Sequence, residues 1–298
     1  MKKNSNMLLG YSLIIGTAFF TAFSYIFGTM VSLDLYPETI AFYWFFGAFL
    51  VALVKRWIFS IFDTKYKISI SDLRKYSLVM GISSVATIFG MVFWVIALRE
   101  IGPPMTSFLM KFQVVFSVIL GFLFLNEKLR KLEIFGIFLT LIGGLVITYD
   151  ISHFELKGGL FAIFAAFSYS CLFLIVRKLG SKLNMMIVAT LRSLGVAILA
   201  VVYLLFTNKF QFPSGLDLAY MFIGGTFGAY IGKAFQFQAI KLVDISRTTA
   251  ITPLEAVFVI GLTFVFFDTI PSSIKLTGGA LIILGVLFLL IFRNENVG

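Results

Sequence analysis

Residues 97–147 recur, at a constant spacing of 142, as residues 239–289. Ala97 falls on Ala239, Thr106 on Thr248 and Val115-Phe116 on Val257-Phe258. Leu120, Phe122 and Phe124 fall on Leu262, Phe264 and Phe266, and Gly136 and Gly143 on Gly278 and Gly285. Eleven of the 51 positions are identical without a gap. Apolar bias alone yields some identities. Two glycines kept in one register point instead to a duplicated unit, and a duplication governs the whole architecture. Shorter echoes extend it. Ala22-Phe23-Ser24-Tyr25 returns as Ala166-Phe167-Ser168-Tyr169, Gly47 aligns with Gly195, and Gly90 with Gly232.

The medium of that unit follows from its charge content. Only 13% of residues are charged and the mean hydropathy is +1.02, against about 25% charged in soluble domains. Apolar runs of about 20 residues span a bilayer as helices. Ten are expected here, over 8–30, 37–54, 76–98, 104–125, 130–149, 156–176, 185–206, 217–240, 245–267 and 274–292. The first run follows Met1-Lys2-Lys3 and is too long for a cleaved signal, so it is expected to remain as a span.

Lysine and arginine set the orientation. With the N-terminus in the cytoplasm, 17 of the 24 basic residues fall on the cytoplasmic side, 4 (Arg99, Lys157, Lys209, Lys275) on the other, and 3 inside spans. The net charge of +10 is therefore read as topology rather than as a nucleic-acid surface. The link Lys55–Lys75 mixes aromatic and basic residues and is expected as an interfacial helix with a turn. Five spans per half is an odd number, so the second half enters the membrane in the opposite sense. The expected fold class is an all-α membrane protein: ten transmembrane helices as two inverted-topology five-helix repeats, 1–150 and 151–298, both termini cytoplasmic. Such repeats recur in secondary transporters, with substrate at the midplane between them.

Several chemistries are excluded. Cys171 is the single cysteine and His153, in an expected loop, the single histidine, so no His/Cys metal set is expected. HExxH and GxSxG are absent. Gly232-Lys233 lacks the glycine at position 227 that a phosphate loop needs. No cofactor is expected, and the chain is not read as an enzyme.

The halves resemble the drug/metabolite transporter superfamily, of the EamA-domain type, in a ten-span form. The resemblance rests on Val114 through Leu125-Asn126-Glu127 followed by Gly136 and Gly143, and on Leu254-Glu255-Ala256-Val257-Phe258. Arg192 stands where the family often has an arginine. Val114 and Ala256 replace a usual proline, Trp44 a common arginine, and Thr269 a glutamate, while Lys111 and Lys233 are not general family features. The resemblance implies a transport fold and leaves the substrate open.

Four ionisable residues lie well inside spans: Lys111, Arg192, Lys233 and Glu255. A charge at the centre of a span costs about 2.5–3.5 kcal/mol on insertion scales, so such residues face a cavity or one another. Glu255 has Gln113 as its repeat counterpart and could pair with Lys233, Lys111 or Arg192, or carry a proton. Lys111 could instead snorkel toward the outer side. Lys233 and Gln236, three apart, share a helix face. Arg192 could clamp an anion through its planar fork. Tyr25, Trp44, Trp94 and Tyr169 are the expected aromatic lining. Gly224, Gly228 and Gly232, spaced by four, suit close helix packing or a sliding helix.

The expected function is secondary transport of a small anionic or zwitterionic metabolite, for example an amino acid or related compound. The mechanism would be alternating access, in the cell (inner) membrane, with Glu255 as the one candidate for proton coupling. Multidrug efflux of lipophilic cations is the alternative, disfavoured because spans 1 and 6 hold no acid at mid-depth. A non-transporting scaffold is a further one. The expected partners are membrane lipid and the substrate, without nucleic acid, and both monomer and homodimer stay open.

Overall fold

The computed structural model describes residues 2–62, 70–125, 131–149, 153–180, 185–233, 235–236, 239 and 253–292. Its described residues form helices joined by short links. In chain order these are α1 (Lys2–Met30), α2 (Pro37–Phe62), α3 (Ile70–Leu109), α4 (Phe112–Leu125) and α5 (Lys131–Tyr149). Then come α6 (His153–Gly180), α7 (Met185–Phe206), α8 (Gly215–Gly224) with a π-helical segment over Gly225–Gly232, α9 (Leu254–Phe267) and α10 (Ser273–Phe292). Five of these are long and apolar enough to cross a membrane: α1, α2, α3, α6 and α7. The outer surface is apolar throughout, with Leu145 68% and Val265 73% exposed. Water would not tolerate such a face, whereas lipid tails do.

The spacing of 142 reappears in the coordinates. α4 and α9 are both 14 residues long and begin 142 apart, at Phe112 and Leu254. α5 and α10 also begin 142 apart, at Lys131 and Ser273. Contacts between the halves follow the same exchange. α1 packs on the π-helical segment and on α9, while its counterpart α6 packs on α3 and α4. α2 packs on its counterpart α7, and α5 on α10.

The α5–α10 crossing shows the sense of the repeat. A Cβ on Gly136 would lie 2.7 Å from the Gly285 carbonyl oxygen, and one on Gly143 2.6 Å from that of Gly278. The first glycine of each helix thus meets the second glycine of the other. That pattern belongs to an antiparallel crossing about a pseudo-two-fold axis, and it explains why both glycines survive in both halves.

Local chemistry sets the breaks. α3 turns at Gly102, whose φ of 71° and ψ of 172° suit only glycine. Pro103 and Pro104 then start the next helical stretch, where a missing N–H costs nothing. The expected span 104–125 breaks at Met110-Lys111. The Lys111 N–H donates to Phe108 O at 3.0 Å and that of Val114 to Lys111 O at 3.0 Å, so the turn tightens there. The hydroxyls of Thr106 and Ser107 donate back to Gly102 O and Pro104 O just before the break, a geometry that bends helices.

Other expectations shift. His153 opens α6 rather than lying in a loop. α2 continues to Phe62 and α3 starts at Ile70, so the middle of the Lys55–Lys75 link lies outside the described residues. Asn126-Glu127 and residues 245–252 also lie outside them. Gly224, Gly228 and Gly232 do not make one stripe. Gly224 seats the Trp44 ring of α2, whereas Gly228 and Gly232 seat Ser24 and Thr21 of α1. A π-helix closes i→i+5 hydrogen bonds, so residues four apart fall short of one turn and the row winds from one neighbour to the next.

Candidate functional site

The two helix breaks lie at repeat-related positions, and a buried ion pair joins them. Lys111 sits in the α3–α4 break and Glu255 in the first turn of α9. The Lys111 ammonium donates to Glu255 Oε1 at 2.8 Å, with the side chains only 7% and 16% exposed. Helix polarity favours both placements. A carboxylate belongs in a first turn, and a cation just beyond a helix C-terminus such as that at Leu109. Lys111 therefore does not snorkel, and the choice of partner for Glu255 falls on Lys111.

Glu255 also lines a cavity of about 50 Å³, room for a few water molecules. Its other walls include Ile14, Thr17 and Thr21 of α1 together with Lys233 and Gln236. The Lys233 ammonium donates to Gln236 Oε1 at 3.1 Å and sits 5.3 Å from the centre of the Phe173 ring. Its electrostatic neighbours are Arg192, Glu255 and Lys111. Arg192 is 6% exposed, and its guanidinium lies 5.6 Å from the centre of the Phe45 ring. Tyr169 is its other electrostatic neighbour. Among the described residues neither Arg192 nor Lys233 has a carboxylate within ion-pair distance. α7 is fixed near this point by Ser84, whose hydroxyl donates to the Arg192 carbonyl at 3.2 Å.

Aromatic rings carry the wall onward. Tyr25 donates to Glu255 and receives the Trp94 indole N–H. The Tyr25 and Trp94 rings meet edge-on at 5.3 Å, and Trp44 and Trp94 at 5.7 Å. Tyr169 lies under Gly90, where a Cβ would sit 3.0 Å from its ring. Lys111, Glu255, Lys233, Gln236, Arg192, Tyr25, Trp94, Trp44 and Tyr169 thus form one contiguous region between the halves. Gln113 is half-buried. Its backbone carbonyl accepts from the Ser170 hydroxyl at 2.8 Å, and its side chain makes no contact with that cluster.

Some residues of this region were not singled out in the sequence. Thr17, Thr21 and Tyr25 recur every four residues and so share a face of α1, a polar row that was there to be seen. Phe45 and Phe173 carried no signal among 37 phenylalanines.

One end of the molecule is closed by polar contacts between its links. The Ser32 N–H donates to Asp217 Oδ1 at 2.8 Å, and Arg99 donates to the Ser32 carbonyl at 2.8 Å. Gln211 accepts from the Tyr36 N–H at 2.6 Å and donates to the Asp34 carbonyl at 2.9 Å. Lys157 reaches Glu100 at 3.6 Å at the same end.

Comparison with known proteins comes to bear on this geometry. The sequence matches the family described as EamA-like transporter family twice, over residues 8–149 and 156–291. No curated protein sequence matches it. Among solved structures, one titled "Crystal structure of protein" is similar with a TM-score of 0.63 at 18% identity, covering 96% of this chain and 97% of that one. At that identity the likeness concerns the fold alone.

Proposed function

The chain belongs to the EamA-like transporter family, a multi-pass membrane protein, and from that premise we propose that it is a secondary transporter of a small anionic or zwitterionic organic metabolite. The observation that carries this reading is the buried pair of cations, Arg192 and Lys233, without a carboxylate among the described residues. A charge held between repeats at such a cost has a use when the substrate neutralises it. The repeats, 1–150 and 151–298, supply five spans each, with both termini on the cytoplasmic face of the cell membrane.

Alternating access fits this arrangement. The Ser32–Asp217–Gln211 end is sealed, while the cavity lined by Ile14 and Thr17 lies on the other side of the Tyr25 and Trp94 wall. Transport would break the seal and close the cavity side, with the repeats rocking about the substrate. Lys111, Glu255, Gln236 and the rings of Tyr25, Trp44, Trp94 and Tyr169 would shape the site, and Gln113 would join it only after rearrangement. Proton coupling would run through Glu255, since protonation removes its charge and releases Lys111. Efflux of lipophilic cations fares worse, because Glu255 is already held by Lys111.

Reconstitution into liposomes tests the reading. Wild-type protein should accumulate labelled anionic or zwitterionic metabolites saturably. Movement of lipophilic cations alone would replace this reading with drug efflux.

A further inference from the structure

The pairing pattern narrows the substrate class of that same site, and the narrowing rests on the transport reading above. Three cations and one anion meet in the cleft: Lys111, Arg192, Lys233 and Glu255. The anion is engaged, with its Oε1 2.8 Å from Lys111. Among the described residues, Glu255 is the carboxylate whose charge reaches Lys233. Two positive charges therefore remain uncompensated. Each faces an aromatic ring rather than an acid, Arg192 at 5.6 Å from Phe45 and Lys233 at 5.3 Å from Phe173.

A zwitterion fits this inventory badly. Its carboxylate would gain a cation, but its ammonium would enter a region already in surplus of positive charge, with no free carboxylate to receive it. A monoanion would leave one cation unmatched. We propose that Arg192 and Lys233 form a two-cation site for a small organic dianion without an ammonium group, a dicarboxylate or a phosphate monoester. The planar guanidinium suits an oxyanion edge held by two parallel hydrogen bonds, and the ammonium supplies a point charge beside it. Thr17 and Thr21 offer hydroxyl donors across the same cavity from Lys233. The ring faces of Phe45 and Phe173 hold the two cations in place while the site is empty.

The test is binding to the purified full-length protein at constant ionic strength. Succinate and glycerol phosphate serve as dianions, acetate as monoanion, and alanine and leucine as zwitterions. The dianions should raise the melting temperature by about 2–4 °C at ten times their Kd, with acetate and the amino acids at least about tenfold weaker. Lys233→Gln and Arg192→Gln should each abolish the dianion shift. Should a variant fail to fold, competition against labelled succinate on the wild type gives the same order of affinities. Zwitterions that bind as well as dianions, or dianions that shift nothing, overturn the proposal. In liposomes, uptake of amino acids without dianions defeats this inference while leaving the transport reading standing. A panel in which nothing binds and nothing moves defeats both.

Discussion

Lys111 and Glu255 meet at 2.8 Å from opposite halves of the duplicated chain, each at the edge of a helix break. The contact is not repeat-symmetric. Pro253 stands where the second half would repeat Lys111, and Gln113 where the first would repeat Glu255. The pair thus makes the two halves electrically unequal at the place where they join.

Removing one partner leaves the other charge buried alone. Lys111→Met or Glu255→Gln should destabilise the protein by about 3–5 kcal/mol, and the double variant by much less than the sum. Thermal melting of the three proteins in one detergent checks this. Additive losses would show that the contact contributes nothing.

Arg192 and Lys233 carry the opposite sign. With no carboxylate partner among the described residues, neutralising either removes a desolvation cost. Arg192→Gln and Lys233→Gln should therefore melt no lower than the wild type without ligand. A large loss in either would mean that the charge holds the fold.

The glycine crossing is a steric requirement. Gly143→Val forces side-chain atoms toward the Gly278 carbonyl, where even a Cβ would be 2.6 Å away, and should cost about 1–3 kcal/mol. Gly261→Ala, with nothing within 4 Å of its Cβ, should stay within about 0.5 kcal/mol. Chemical or thermal unfolding of the two variants separates them.

The seal should open when its side-chain contacts go. In a Cys171→Ala background, a cysteine at Ser32 should react faster with a membrane-impermeant thiol reagent once Gln211→Ala and Asp217→Ala remove the clamp on 32–36. Unchanged labelling rates would show that these contacts do not govern access.

Glu255→Gln removes the one mid-span carboxylate among the described residues. If protons are coupled there, transport by that variant should lose its pH dependence. Retention of the full dependence would place proton coupling elsewhere.

Much of this was legible in the sequence because duplication and burial both leave linear traces. Gly136 and Gly143 recur at 142 because a close antiparallel crossing tolerates no side chain at either place. Charged residues in apolar runs announced the cleft because lipid forbids them elsewhere. The partner of Glu255 was not legible, since three cations satisfy the same linear rule and only the folding together of the α3–α4 break and α9 selects Lys111. Nor was the π-helical segment, whose extra residue per turn redirects Gly228 and Gly232 without a distinctive sequence. The seal also escaped notice, because Ser32, Gln211 and Asp217 are ordinary loop residues until their links meet. Gln113 was singled out by symmetry with Glu255, and the ion pair broke that symmetry.

The central claim is that a transported organic anion neutralises Arg192 and Lys233 between the repeats. Uptake of a labelled organic anion into liposomes containing wild-type, Arg192→Gln or Lys233→Gln protein addresses it most directly. The account predicts saturable uptake by the wild type and a loss of about tenfold or more in each variant, the worth of one charge-assisted contact. Equal uptake by all three proteins, or wild-type transport confined to lipophilic cations, would contradict it.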